Sequence, residues 1–150
     1  MRLVIQRVSE ASVSIAGQVK SSIKQGLMIL VGIETEDSSG DIDWLVKKAV
    51  NLRIFDDEEG VMNKSVLDVN GGLLLISQFT LQARTKKGNR PSYVNAAGPE
   101  IAIPLYEEFI QKLEKESGVE VGTGEFGANM QVQLINDGPV TIIIDSKRKE

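Results

Sequence analysis

Apolar side chains recur in strand-like order over residues 2–8, Arg-Leu-Val-Ile-Gln-Arg-Val, which predicts a first strand. Ser12–Ile15 and Val19–Ile23 then flank Ala16-Gly17-Gln18, the pattern of a hairpin with glycine in its turn. Gly26–Ile33 is almost continuously apolar, as expected of a central strand buried on both faces. After the acidic, serine-rich turn Glu34–Gly40, Ser38 and Asp41 have the spacing of a capping box. They open a helix over about 41–52, with Ile42, Leu45, Val46 and Ala49 on one stripe.

Further along, Arg53-Ile54-Phe55 reads as a short strand, Asp56–Gly60 as an acidic turn and 61–70 as loops. Leu73–Gln82 reads as a strand launched from Gly71-Gly72. Its period of two places Gln78, Thr80 and Gln82 on one face, opposite Ser77, Phe79 and Leu81. That polar row is either the floor of a pocket or the solvated face of an edge strand. Thr85–Asn95 is polar and basic and contains Pro91, which predicts a surface loop. Gly98-Pro99 opens a second helix that ends at Gly118, with Ile101, Leu105, Phe109 and Leu113 at four-residue spacing and Pro104 expected to kink it. Strands at 119–121, 131–135 and 140–145 and a charged tail, 147–150, complete the chain. The sum is one α+β domain over residues 1–150, with a mostly antiparallel, barrel-like sheet and two main helices.

Composition narrows the chemistry. With 150 residues, 41% of them hydrophobic and 25% charged, the chain can bury a core of its own. The longest apolar run, Leu27–Ile33, is too short to span a bilayer, and the N-terminus enters a strand directly, so a cytoplasmic protein without a secretion signal is expected. There is no cysteine and no histidine. Thiolate nucleophiles, histidine general bases, the Ser-His-Asp triad and nearly every zinc site are thereby excluded. An enzyme built from this chain has only hydroxyls, carboxylates, amines, backbone amides or its own substrate to work with. The net charge of −4 argues against a general nucleic-acid coat, yet Arg84, Lys86, Lys87 and Arg90 form a local basic patch within seven residues.

Three further stretches carry candidate chemistry. Asn136-Asp137-Gly138-Pro139-Val140-Thr141 has the Asp-Gly signal of a hairpin turn, although proline directly before a strand also fits a rigid cis turn presenting backbone carbonyls. The glycine-rich Gly122–Met130 segment lacks the strand–loop–helix context and the Gly-Lys-Ser/Thr of a phosphate loop. Its Phe126 and Met130 serve either as a core plug or as a platform for a base. Asp56–Glu59 reads as surface charge, with a magnesium site as the weaker alternative.

Ser77-Gln78-Phe79-Thr80-Leu81 taken with Asn136-Asp137-Gly138-Pro139-Val140-Thr141 resembles the D-aminoacyl-tRNA deacylase family. The likeness runs through Arg53-Ile54-Phe55, Gly60-Val61-Met62-Asn63, Lys87-Gly88-Asn89-Arg90-Pro91-Ser92 and Gly124-Glu125-Phe126-Gly127-Ala128-Asn129-Met130, essentially the whole chain. It implies a homodimeric hydrolase with active sites at the subunit interface, needing no metal or cofactor and engaging neither membrane nor DNA. Such an enzyme cleaves the ester between a D-amino acid, or mischarged glycine, and the terminal ribose of tRNA. Carried over, Ser77, Gln78, Phe79 and Thr80 form the catalytic segment. Gly138 and Pro139, joined by a cis bond and accompanied by Asn136, form a filter against L-amino acids, inserted from one subunit into the other. Phe126, Gly127 and Met130 would hold the terminal adenosine, and Lys86, Lys87 and Arg90 the nearby phosphates.

The family leaves two roles open for Thr80: nucleophile, or part of a cradle for chemistry by the ribose 2′-hydroxyl. A threonine nucleophile needs a base, and the missing histidine favours the second. Arg84 departs from the family's pattern, since the resemblance leads one to expect an acidic residue at this position. The rival readings are a non-catalytic tRNA-end binding module of the same fold and a small-molecule-binding oligomer.

Overall fold

The computed structural model describes residues 1–150. The first of its eight strands organises the sheet. β1 (Arg2–Ile15) is one long strand rather than two short ones, and it pairs antiparallel with β2 (Gln18–Ile23), β3 (Gly26–Gly32) and, along its other edge, β8 (Met130–Asp145). The β1–β2 connection is the expected hairpin with glycine in its turn, tightened to two residues because Gln18 already pairs with Ile15, and Ala16 and Gly17 are both at positive φ (50° and 78°). β6 (Gly72–Ser77) and β7 (Gly122–Thr123) extend the sheet by parallel pairing, in the order β2-β1-β3-β6-β7. β4 (Phe55–Asp56) and β5 (Met62–Lys64) form a small separate ribbon, where the sequence predicted only loop for the second partner.

The helices are α1 (Ser39–Asn51) and α2 (Pro99–Ser117). Asp41 caps α1 by accepting the Ser38 N–H (2.9 Å) and hydroxyl (3.1 Å), and Gly118 closes α2 at φ 73°. α2 runs through Pro104 as one element, with the proline exposed.

Alternation along the strands divides the core in two. Leu27, Ile29 and Val31 of β3 and Leu73 and Leu75 of β6 face α1 and α2, packing with Leu45, Ala49, Phe109 and Leu113. Met28, Leu74 and Ile76 face the other way, into a smaller cluster closed by Val8, Ala11 and Val13 and flanked by Met130, Val132 and Leu134. A sheet buried on both faces, with its ends curling together, is the nearly closed barrel the pattern predicted.

Three predicted elements fold differently. The Leu73–Gln82 strand stops at Ser77, and Phe79–Gln82 is a 3-10 turn. Its parallel partner β3 ends at Gly32, so beyond the Gln78 N–H···O=C Val31 bond (2.8 Å) no ladder remains and the backbone satisfies itself locally. The Asn136–Thr141 stretch is not a hairpin turn. Both of its flanks pair with β1 rather than with each other, and the segment lies in a continuous β8 where the register shifts between Gln6 and Val8 and again before Glu10. Finally, 119–121 is not a strand; the pairing begins at Gly122.

Acid should destabilise this fold and mild base should not. Burial opposes the charge on Asp41, but hydrogen bonds from Ser146, Lys147 and Ser38 outweigh it and hold its carboxyl well below the usual range. Burial also opposes the charge on Asp145, and the Lys147 N–H and Arg2 overcome it. A carboxylate depressed in the folded state gives stability that is complete above its unfolded pKa and is lost as pH falls through the folded one. Without histidine, nothing comparable lies between about pH 5 and 8. The urea midpoint should therefore be flat over that range and fall below about pH 4, less steeply in Asp41→Asn.

Candidate active site

The 3-10 turn is held in place from three sides. Gly32, at the end of β3, lies directly under it: a Cβ there would sit 2.8 Å from Leu81 Cβ and 3.0 Å from the Gln78 carbonyl. Gln82, 4% exposed, donates from Nε2 to the Gly32 carbonyl (2.8 Å). Arg2 donates from Nη1 to the Leu81 carbonyl (2.7 Å) while Asp145 accepts from its Nε and Nη2 (3.2 and 2.9 Å). The predicted row of Gln78, Thr80 and Gln82 is therefore broken. Gln82 braces the turn from inside, and Gln78 Nε2 donates to Thr80 Oγ1 (2.6 Å). Phe79 and Thr80 open the turn, the position at which a helix leaves its N–H groups without intrahelical partners.

Beside this turn is a cleft of about 240 Å³, lined by Ser77, Gln78 and Phe79 on one wall and Phe126, Gly127, Ala128 and Met130 on the other. The structure thus brings together six of the residues singled out from the sequence, from segments fifty positions apart. Thr80 does not line the cleft; it is joined to it through the Gln78 bond to its hydroxyl. Phe126 is placed by a tilted contact with Tyr106 (centroids 6.0 Å), whose hydroxyl donates to the Leu75 carbonyl (2.9 Å). The preceding loop is fastened by Ser21, which donates to the Thr123 carbonyl (2.8 Å), and by Lys20, which donates to the Gly124 carbonyl. Every side chain lining the cleft is neutral, and none of them titrates between about pH 5 and 8.

Lys86, Lys87 and Arg90 stand on an exposed loop closed by two Arg84–Ser92 backbone bonds (2.8 and 3.0 Å). The loop reaches the cleft through Tyr93, whose ring meets that of Phe79 edge to face at 5.0 Å. In the acidic turn, the Asp57 carboxylate is occupied by the N–H groups of Glu59 (2.9 Å) and Val61 (3.0 Å), which is the role of a turn cap.

Asn136, Gly138 and Pro139 do not join the cleft within one chain. Gly138 lies eight residues beyond Met130 on the same strand, roughly 20 Å or more at the usual rise per residue. The Gly138-Pro139 peptide is cis, and both residues are exposed. Asn136 Nδ2 donates to the carbonyls of Arg7 (3.0 Å) and Val140 (2.9 Å), so one side chain staples both sides of the irregular segment. Arg7, 8% exposed, donates to the carbonyls of Asp137 (3.1 Å) and Ile54 (2.7 Å). Sequence reading missed Arg7, Gly32, Gln82 and Arg2 as supports. Arg7 had a legible signal, since it shares the inward phase of Leu3 and Ile5, where a charged side chain needs a buried partner.

A family profile described as D-Tyr-tRNA(Tyr) deacylase matches residues 4–145. The chain belongs to that family. It is therefore a hydrolase. It is similar to the D-aminoacyl-tRNA deacylases of Bacteroides fragilis strain YCH46 (69% identical) and Flavobacterium psychrophilum (63%), each aligned over the full length of both chains. Among solved structures it resembles one described as a c-Myc DNA Unwinding Element Binding Protein, with a TM-score of 0.91 and 42% identity over 97% of this chain and 98% of that one. No helix of the deacylase is long and apolar enough to cross a membrane.

Proposed function

We propose that this deacylase hydrolyses the ester of D-aminoacyl-tRNA, releasing the D-amino acid and a reusable tRNA, and that it accepts glycyl-tRNA while rejecting L-aminoacyl-tRNA. The observation that carries the reading is the cleft itself: a strand end with a hydroxyl, an amide and the free N–H groups of a tight turn faces an aromatic and a thioether, with no ionisable group between them. Such a pocket can hold an adenosine and polarise a carbonyl, but it cannot supply a general base. Water attacks the ester carbonyl, the acyl–oxygen bond breaks, and the 3′-oxygen leaves with a proton relayed by the neighbouring ribose 2′-hydroxyl. The protein contributes positioning and the backbone N–H groups of Phe79 and Thr80 toward the developing oxyanion.

The filter reading requires two subunits, because Gly138 and Pro139 are too far along β8 to reach their own cleft. Two features support a homodimer. β8 pairs only with β1 and leaves its other edge open, and Ile135 and Ile143 on it are exposed. An exposed backbone wall held by Arg7 and Asn136, placed over the partner's cleft, would accept hydrogen in place of an L-side chain and collide with anything larger. The absence of side-chain recognition explains why glycine is admitted.

Thr80→Ala separates the two mechanisms. Under substrate assistance its kcat on D-tyrosyl-tRNA stays within about tenfold of wild type; a loss of about 10³-fold or more in a folded variant would make Thr80 the nucleophile.

A further inference from the structure

We infer that Tyr93, with the outer ring surface of Phe79, is a stacking platform for the unpaired nucleotide preceding the terminal adenosine, and that the Arg84–Ser92 loop takes that strand's phosphates. The inference rests on the deacylase reading above and extends the site outward from the cleft. Phe79 is 54% exposed and Tyr93 38%, and they are in contact at 5.0 Å with an interplanar angle of 71°. In an edge-to-face pair the partner covers one ring face only, so flat apolar surface remains open beside the cleft mouth. Two touching aromatics that leave this much of their surface in solvent are poorly explained as core.

Charge identifies the occupant. Tyr93 follows a loop bearing Arg84, Lys86, Lys87 and Arg90, a cluster of four cations within seven residues none of which lies within 4.0 Å of a carboxylate, although the net charge of the protein is −4. Unpaired cations around an open aromatic surface match a single-stranded nucleic acid, whose bases stack and whose phosphates need counter-charge. A peptide or lipid partner would use the cations or the rings, but would have no reason to be aligned with the cleft that takes the terminal nucleoside.

The test compares a long and a minimal substrate: D-tyrosyl-tRNA, and 3′-D-tyrosyl-adenosine, which has no preceding nucleotide. Tyr93→Ala should raise KM for the tRNA about tenfold and leave kcat/KM for the minimal substrate within twofold, while Tyr93→Phe restores the tRNA value. Exchanging Lys86, Lys87 and Arg90 together for alanine should raise the tRNA KM at low salt and flatten its salt dependence, again sparing the minimal substrate. If Tyr93→Ala impairs both substrates equally, Tyr93 only props Phe79 and the platform is refuted; if it impairs neither, the strand runs elsewhere. Failure of the wild type to hydrolyse either substrate would instead refute the deacylase reading.

Discussion

Gly32→Ala should lower kcat on D-aminoacyl-tRNA by about 10²-fold while leaving a folded protein. The added methyl has nowhere to go. It would meet Leu81 Cβ at 2.8 Å and the Gln78 carbonyl at 3.0 Å, and neither can rotate aside, because one is a first side-chain carbon and the other is backbone. The turn carrying Phe79 and Thr80 must lift from the strand end, which also strains the Gln82 bond to the Gly32 carbonyl. Overpacking of this kind costs about 1–3 kcal/mol, a melting shift of a few degrees that leaves the fold intact. Kinetics on the folded variant, with circular dichroism as the control, give the measurement. Wild-type kcat would mean that the turn's position does not matter to the reaction.

Arg7→Ala should weaken both the fold and the discrimination between enantiomers. Its guanidinium is buried and satisfies the Ile54 and Asp137 carbonyls; the carboxylates of Asp56 (3.4 Å) and Asp137 (3.6 Å) are more than half exposed and add little. Two hydrogen bonds from a charged donor, one buried and one partly buried, amount to about 3 kcal/mol. The same removal frees the Gly138 segment on one side, leaving Asn136 as its remaining staple. Gly138 has φ 130°, and a Cβ on it would lie 3.0 Å from the Val140 nitrogen and 3.1 Å from Arg7 Nη2, so this stretch is fitted closely to Arg7. The ratio of D- to L-aminoacyl-tRNA hydrolysis should drop about tenfold, chiefly because L-substrates gain entry. An unchanged ratio in the folded variant would dissociate Arg7 from the filter.

Much of this is legible in the sequence. The apolar run at Gly26–Ile33 did become a strand buried on both faces, and the Ser38–Asp41 cap did open α1, because both depend on neighbours in sequence. What could not be read depends on where a distant partner ends. Leu73–Gln82 has the alternation of one strand, and only the end of β3 at Gly32 turns its second half into a 3-10 turn. Asn136–Thr141 has the composition of a hairpin turn, and only a β1 long enough to pair with both flanks keeps it within a strand. At the site, short motifs named Ser77, Gln78, Phe79, Phe126, Gly127 and Met130, which the cleft unites, and Thr80, which does not line it. Arg2 and Gly32 escaped notice, and Gln82 was read as part of a polar row rather than as a brace, since a glycine or glutamine that supports a turn carries no pattern of its own.

A pocket without an ionisable group, closed as we propose by a backbone wall from a second subunit, makes a sharp demand on reactivity: chirality, not side-chain identity, must decide the rate. The most direct test incubates the protein with one tRNA charged in parallel with D-tyrosine and with L-tyrosine and follows loss of each ester. The account predicts rapid hydrolysis of the D-ester and an L-ester that decays no faster than without protein. Equal hydrolysis of both would contradict the filter, and hydrolysis of neither would leave a protein that binds the tRNA end without catalysis.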